Sequence, residues 1–210
     1  NKMKIIDISL PLNNQTPVYP KNVPVYVSVH QKMPENSSHL SSITFGSHSG
    51  THVDAPAHQI EGAPTLESFP LENFLGDCRV LDFSNEGEEG ITREFLESKN
   101  IIAGERILLK TKNSLRGFKE FYDDFIYLDG DGADYLANIG VLLVGIDALS
   151  IKKKGGPDNR PHTSLLSKNI PIVEGLDLSL AEEREYELVC LPLNFTNIEG
   201  APARAILIEK

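Results

Sequence analysis

The chain has 210 residues, 40% hydrophobic and 24% charged, which suits one soluble globular domain, expected over residues 3–210. A chain this long buries about 70% of its unfolded surface, so its core needs neither disulfides nor a structural metal. Twenty Lys and Arg against thirty Asp and Glu give −10. The one cationic run, Lys152–Lys154, reads as a solvated loop, so nucleic acid and anionic membrane are not expected as partners.

Lys4–Ile8 reads as an opening strand, and a turn region follows from Pro11 to Pro20. Val23–His30 alternates, with Val25, Val27 and Val29 set against Tyr26 and Ser28, which predicts a half-exposed strand. Leu40–Ser47 is the next strand. Thr92 caps a short helix that runs to near Asn100, and Arg106–Lys110 is strand-like. Asp131–Asn138 is a second short helix, stopped by Asn138 and Gly140. Val141–Ile146 is a continuous apolar run, as in strands buried on both faces. Ile170–Glu174, Tyr186–Leu191 and Ala203–Ile208 complete the strands. Strands and short helices alternate through the second half, which predicts an α/β domain with a partly parallel sheet. No repeat or low-complexity segment occurs.

The longest apolar runs, such as Ile139–Ile146, are far below the roughly 18 residues that span a bilayer. Nothing at the amino end reads as a basic-then-apolar leader, Met3 is expected to be the native start after an added Asn1 and Lys2, and the cytoplasm is the expected compartment. Cys78 and Cys190 are far apart and lack Cys-x-x-Cys spacing, so they read as reduced, buried thiols.

Six histidines occur, and three of them fall in the eleven residues His48-Ser49-Gly50-Thr51-His52-Val53-Asp54-Ala55-Pro56-Ala57-His58. His48, His52, Asp54 and His58 are all even-numbered, a coincidence of about one in eight for random placement under a two-residue period. Gly50 and Pro56 argue against a helix. An extended segment would therefore throw imidazoles and a carboxylate to one side. Neutral imidazole nitrogen and carboxylate oxygen are ligands that zinc and its first-row neighbours accept. A single histidine on such a strand is ordinarily structural, but this cluster needs compensation for buried, mutually repelling polar groups, and a metal supplies it.

The segment resembles the His-x-Gly-Thr-His-x-Asp-x-Pro-x-His signature of the cyclase family, whose best-known members are the bacterial kynurenine formamidases of tryptophan catabolism. The likeness continues in Ser9-Leu10-Pro11-Leu12 with Pro17-Val18-Tyr19-Pro20, and in Gly145-Ile146-Asp147-Ala148-Leu149-Ser150. It continues again in His162-Thr163-Ser164-Leu165-Leu166 through Glu174, and in Leu191-Pro192-Leu193 with Glu199-Gly200-Ala201-Pro202-Ala203-Arg204. It thus spans nearly the whole chain. The resemblance implies two divalent ions, zinc first and manganese as the other choice. His48, His52 and Asp54 would hold the first, and Asp54 would bridge to a second held by His162 and Glu174. His58 matches the catalytic acid/base. Read alone, Glu174 would be a strand-end surface group.

The implied fold is a swivelling β/β/α-type α/β domain with a largely parallel sheet, a smaller antiparallel sheet and peripheral helices. The implied activity is metal-dependent hydrolysis of a small amide, an aryl formamide such as N-formylkynurenine. Hydroxide made available by the metal's effect on bound water would attack, and His58 would pass a proton to the leaving nitrogen. The alternatives are hydrolysis of a cyclic amide or lactone, isatin-like, and a catalytically silent, metal-stabilised small-molecule-binding protein; an intact His58 argues against the last. A homodimer or homotetramer is implied. Tyr19 stands where the formamidases usually carry Trp, Lys21-Asn22 replaces a common Gly-Asp, and the chain has no Trp. Tyr19 is still read as a substrate-stacking residue, having a flat apolar face and a polar tip. His30 and His39 are assigned to surface or secondary positions, Arg204 is open to a structural salt bridge or a substrate contact, and Asp147 to fixing its turn.

Overall fold

The computed structural model describes residues 3–86 and 89–210. Asn1 and Lys2, read as an addition, lie outside the described residues. The strands are β1 (Ile5–Asp7), β2 (Tyr26–Gln31), β3 (Leu40–Thr44), β4 (His52–Asp54), β5 (Leu75–Asp82), β6 (Gly90–Ile91), β7 (Arg106–Lys110), β8 (Tyr127–Leu128), β9 (Leu143–Ile146), β10 (Ile172–Glu174), β11 (Glu185–Pro192) and β12 (Gly200–Glu209). The helices are α1 (Arg93–Glu97), α2 (Lys112–Arg116), α3 (Gly130–Ile139) and α4 (Arg160–Leu166).

The main sheet runs β12-β11-β5-β7-β9-β10-β4, and β4 returns to β12 to close a barrel. Long β12 serves two neighbours on one edge, pairing with β1 through Ile206–Ile208 and with β4 through Gly200–Pro202. The expected α/β class is correct, but the largely parallel sheet is not. Only β5–β7, β7–β9 and β9–β10 are parallel, while β10–β4, β4–β12, β12–β11 and β11–β5 are antiparallel. Connection length explains the division. Parallel neighbours need crossovers, which α1 to α4 and their loops provide, whereas the short loop between β11 and β12 permits only an antiparallel turn. A smaller antiparallel element does exist, but it is the two-stranded β2–β3 ribbon; β6 and β8 form a second, parallel pair.

Side-chain alternation sorts the apolar residues into two cores. Leu108 of β7 joins Val53, Val80, Leu143, Val173, Leu188 and Leu207 in the barrel, while Ile107 and Leu109 pack against Leu96, Leu136 and Leu165 of the helices. The central strands are therefore buried on both faces, as their continuous apolar runs predict. The helix caps follow sequence logic. Thr92 accepts from the Phe95 amide at 3.4 Å, and Asp129 accepts from the Gly132 amide at 2.6 Å. Gly140 closes α3 in the left-handed region at φ 81°.

Five elements escape the sequence reading: β5, the two-residue strands β6 and β8, α2 and α4. β5 carries the turn-like pair Gly76-Asp77 just after its first residue, and α4 is hidden behind a Gly/Pro/Asn-rich run although Pro161 fits its first turn. Asp147 is structural, accepting from the Thr111 amide and hydroxyl (2.7 and 2.8 Å) and the Ser114 amide (3.1 Å) at the start of α2. Arg204 bonds both oxygens of Asp7 and ties β12 to β1. Cys78 and Cys190 are buried free thiols, each pushed up to about 12 by desolvation. His30 and His39 are exposed. Among the described residues, no helix is long and apolar enough to cross a membrane.

Candidate metal centre

Strand alternation aims the site. Val53 and Val173 point into the barrel core, so their neighbours His52, Asp54 and Glu174 point the opposite way, toward the helix layer. The antiparallel register sets Glu174 directly across β10–β4 from His52, and Gly200 of β12 lies across from Asp54. α4, leading into β10, delivers His162 to the same face. Its Nε2 lies 3.2 Å from Glu174 Oε1 and 3.7 Å from Asp54 Oδ2.

His48 enters from the turn before β4, where Gly50 takes φ +59°. Gly175 has φ +70°, and a side chain there would lie 2.3 Å from the Gly50 carbonyl, so two glycines let these turns touch. The Thr51 hydroxyl stitches them by donating to the Gly175 carbonyl at 2.6 Å. His48 Nδ1 thereby reaches Asp54 Oδ1 at 2.8 Å, while His52 Nε2 lies 3.4 Å from the same oxygen and 3.2 Å from Glu174 Oε2. His58 ends the 3₁₀ turn Pro56–His58, with its ring 4.0 Å from that of His48 and 5.5 Å from that of His162. Shared even numbering therefore reflects a common strand face only for His52 and Asp54; His48 and His58 arrive by turns.

All six residues thus come together, from segments more than a hundred residues apart. Two groups bring ligand atoms within coordinating reach, His48-Asp54-His58 and His52-Asp54-Glu174, and Asp54 belongs to both. Burial opposes ionisation of Asp54, but the charges of His48, His52 and His58 and the His48 hydrogen bond outweigh it and hold the carboxyl far below its usual range. Glu174 is raised by burial and by Asp54, yet hydrogen bonds from His162 and His52 bring it below the ordinary value. Burial works against the imidazolium forms of His48 and His162, but Asp54 and Glu174 respectively raise both. At His58 burial prevails, aided by the neighbouring histidines, and its pKa falls.

Hydrogen bonds within the chain leave this cluster unfinished. His48 Nε2, His52 Nε2, Asp54 Oδ2 and His162 Nδ1 are buried without a hydrogen-bond partner. Each orphan costs about 1–3 kcal/mol. His52 Nδ1 is engaged with the Gly50 carbonyl at 2.9 Å, leaving Nε2 to face the carboxylates. Imidazole nitrogens and anionic oxygens converging in a dry site fit a divalent cation, which would satisfy the orphans that face it.

Tyr19 packs on the helix-side core, where the charge of Glu174 reaches its phenol. Its ring meets Phe121 edge-on at 5.1 Å, and its phenol is raised mainly by burial, with Glu174 adding its charge. Sequence reading gave no role to Phe121, which lies in an aromatic-rich loop, or to Glu199. The Glu199 carboxylate lies 3.3 Å from His48 Nε2. Its only sequence signal is its place at the head of Gly200-Ala201-Pro202.

Metal-dependent enzymes use buried donor sets of this kind, and proteins of that class are what this chain is similar to. A kynurenine formamidase of Bordetella avium (strain 197N) is 35% identical over 207 residues, 98% of each chain. A structure described as a predicted metal-dependent hydrolase from Bacillus stearothermophilus superposes with TM-score 0.88 at 32% identity, covering 100% of both chains. An isatin hydrolase bound to the product analogue thioisatinate shares the fold, with TM-score 0.85 at 19% identity over 98% of this chain and 92% of that one. Residues 6–153 match the family described as Putative cyclase, and the chain belongs to that family.

Proposed function

We propose that the protein is a metal-dependent hydrolase of a small amide, with an aryl formamide such as N-formylkynurenine as substrate. The observation that carries this is the buried convergence of His48, His52, Asp54, His162 and Glu174 with His58 at its edge. His48, His52 and Asp54 would hold one ion, zinc before manganese, and Asp54 with His162 and Glu174 a second. A divalent cation there supplies Lewis acidity, which polarises a carbonyl and lowers the pKa of a coordinated water toward about 7.

The chain's own residues do the rest. His58, at the edge of the donor cluster, takes up a proton and then delivers it to the departing amine nitrogen. Tyr19 and Phe121 offer aromatic surface for an aryl ring, and the apolar surroundings of His52 and Asp54 keep bulk water out. We further propose a homodimer or homotetramer, supported by exposed Tyr26, Val29, Leu40 and Ile43 on a ribbon that would be marginal alone. Its unpaired thiols suit a reducing compartment such as the cytoplasm.

Chelator-stripped protein reloaded with zinc or manganese is expected to hydrolyse N-formylkynurenine, with metal content followed by elemental analysis. Protein that holds no ion after loading would overturn the reading. The two-ion assignment has its own test. His162→Ala and Glu174→Ala are each expected to show one site by titration calorimetry where the wild type shows two. Unchanged stoichiometry and affinity in both variants would return Glu174 to a structural role.

A further inference from the structure

The two nitrogens of His48 face different carboxylates. Nδ1 meets Asp54 at 2.8 Å inside the donor cluster, while Nε2 lies 3.3 Å from Glu199 Oε1 on the outer side. His52 follows the same plan with its atoms reversed, Nε2 inward and Nδ1 held by the Gly50 carbonyl at 2.9 Å. We infer that Glu199 is a positioning residue for metal binding, fixing the ring and tautomer of His48 from outside the ligand set.

Three features hold Glu199 in place for this. Its side chain accepts a hydrogen bond from the Ser47 hydroxyl, one residue before His48. Its carbonyl accepts from the Ala55 amide at 2.8 Å, one residue after Asp54. Gly200, next along the chain, has no side chain, and a Cβ there would lie 2.9 Å from His48 Cε1 and 2.7 Å from the Val53 carbonyl. The segment therefore clamps both ends of the His48–Asp54 motif while leaving space for the imidazole.

The tautomer follows from the chemistry. A ligating imidazole nitrogen carries no proton, so a neutral His48 that coordinates through Nδ1 keeps its single proton on Nε2, aimed at Glu199. A carboxylate accepting that proton makes the other nitrogen a stronger donor and stops the ring from rotating. Among the described residues Glu199 is the carboxylate within ion-pair distance of this nitrogen, 3.3 Å away and short of a formed hydrogen bond, and its side chain is 38% exposed, so it reaches the ring from the solvent side.

This inference rests on the metal-site reading, and the experiment separates the two. Zinc affinity is measured by chelator competition on wild type, Glu199→Ala and Glu199→Gln, together with the visible spectrum of the cobalt-loaded proteins and the melting temperature of the metal-free ones. Glu199→Ala is expected to weaken binding roughly 10–100-fold and to shift the cobalt absorption. Glu199→Gln, which still offers an acceptor oxygen, is expected to recover part of the affinity. The metal-free melting temperatures should stay close to wild type. Wild-type protein without zinc affinity defeats the metal reading itself. Wild-type affinity and spectrum in both variants defeats this inference alone, as does loss of a whole ion in Glu199→Ala, which would make Glu199 a ligand.

Discussion

Asp54→Ala is expected to bring metal content after zinc loading to background and to reduce hydrolysis to the level of stripped protein. No other single substitution should do as much, because Asp54 belongs to both groups of candidate ligands. The loss should exceed the roughly 10–100-fold typical of outer-shell partners. Asp54→Asn keeps the shape and removes the charge. It should lose metal nearly as completely, which distinguishes a missing anion from a collapsed pocket. Metal at wild-type content in both variants would defeat the bridging role.

The same carboxylate shapes the pH dependence of the metal-free protein. Asp54 has a depressed folded pKa, so its contribution to stability is present above the unfolded value and lost as pH falls through the folded one. His48 has a raised folded pKa, so its contribution is full below the unfolded value and lost as pH rises through the folded one. The stripped protein should therefore gain most from this pair in mildly acidic solution, between the two unfolded values of about 4 and about 6.5. Metal competes with protons for the same nitrogens, so the rise in melting temperature on adding zinc should grow from pH 5.5 to pH 8. In Asp54→Ala that rise should vanish at both.

What the sequence revealed depends on distance along the chain. His48, His52, Asp54 and His58 fall within eleven residues, so their density alone drew attention to metal chemistry. Glu174 reads locally as a strand-end carboxylate and only the family resemblance marked it as a ligand; β10 pairs with β4 and sets it opposite His52, a register no local pattern encodes. His162 depended on α4, whose Pro-containing start resembles a loop, and only the family resemblance singled it out. Glu199 was invisible for the same reason: its role arises where β12 crosses beside β4. The barrel closure was hidden too. β4 is three residues long and reads as part of a polar motif, yet it joins β10 to β12 and completes the ring.

His58→Ala should separate catalysis from binding. His58 follows Asp54 by four residues, and a 3₁₀ turn begun by Pro56 swings its ring to 4.0 Å from His48. It is less buried than His52, Asp54 or Glu174, which suits a group that must meet substrate as well as the donor cluster. Burial, helped by the nearby histidines, lowers its pKa, so near neutrality it is predominantly the neutral base, ready to take a proton and return it to a leaving nitrogen. A general acid/base of this kind contributes about 10²–10⁴-fold. The variant should therefore keep wild-type zinc stoichiometry and melting temperature while losing at least about 10²-fold in rate. The acidic limb of its pH–rate profile should flatten, because the titrating imidazole that shapes that limb is gone. Since His58 also lies within coordinating reach of His48 and Asp54, zinc titration of the variant decides its role. Loss of an ion would make His58 a ligand, and retention of both metal and full rate would place the proton transfer on another group.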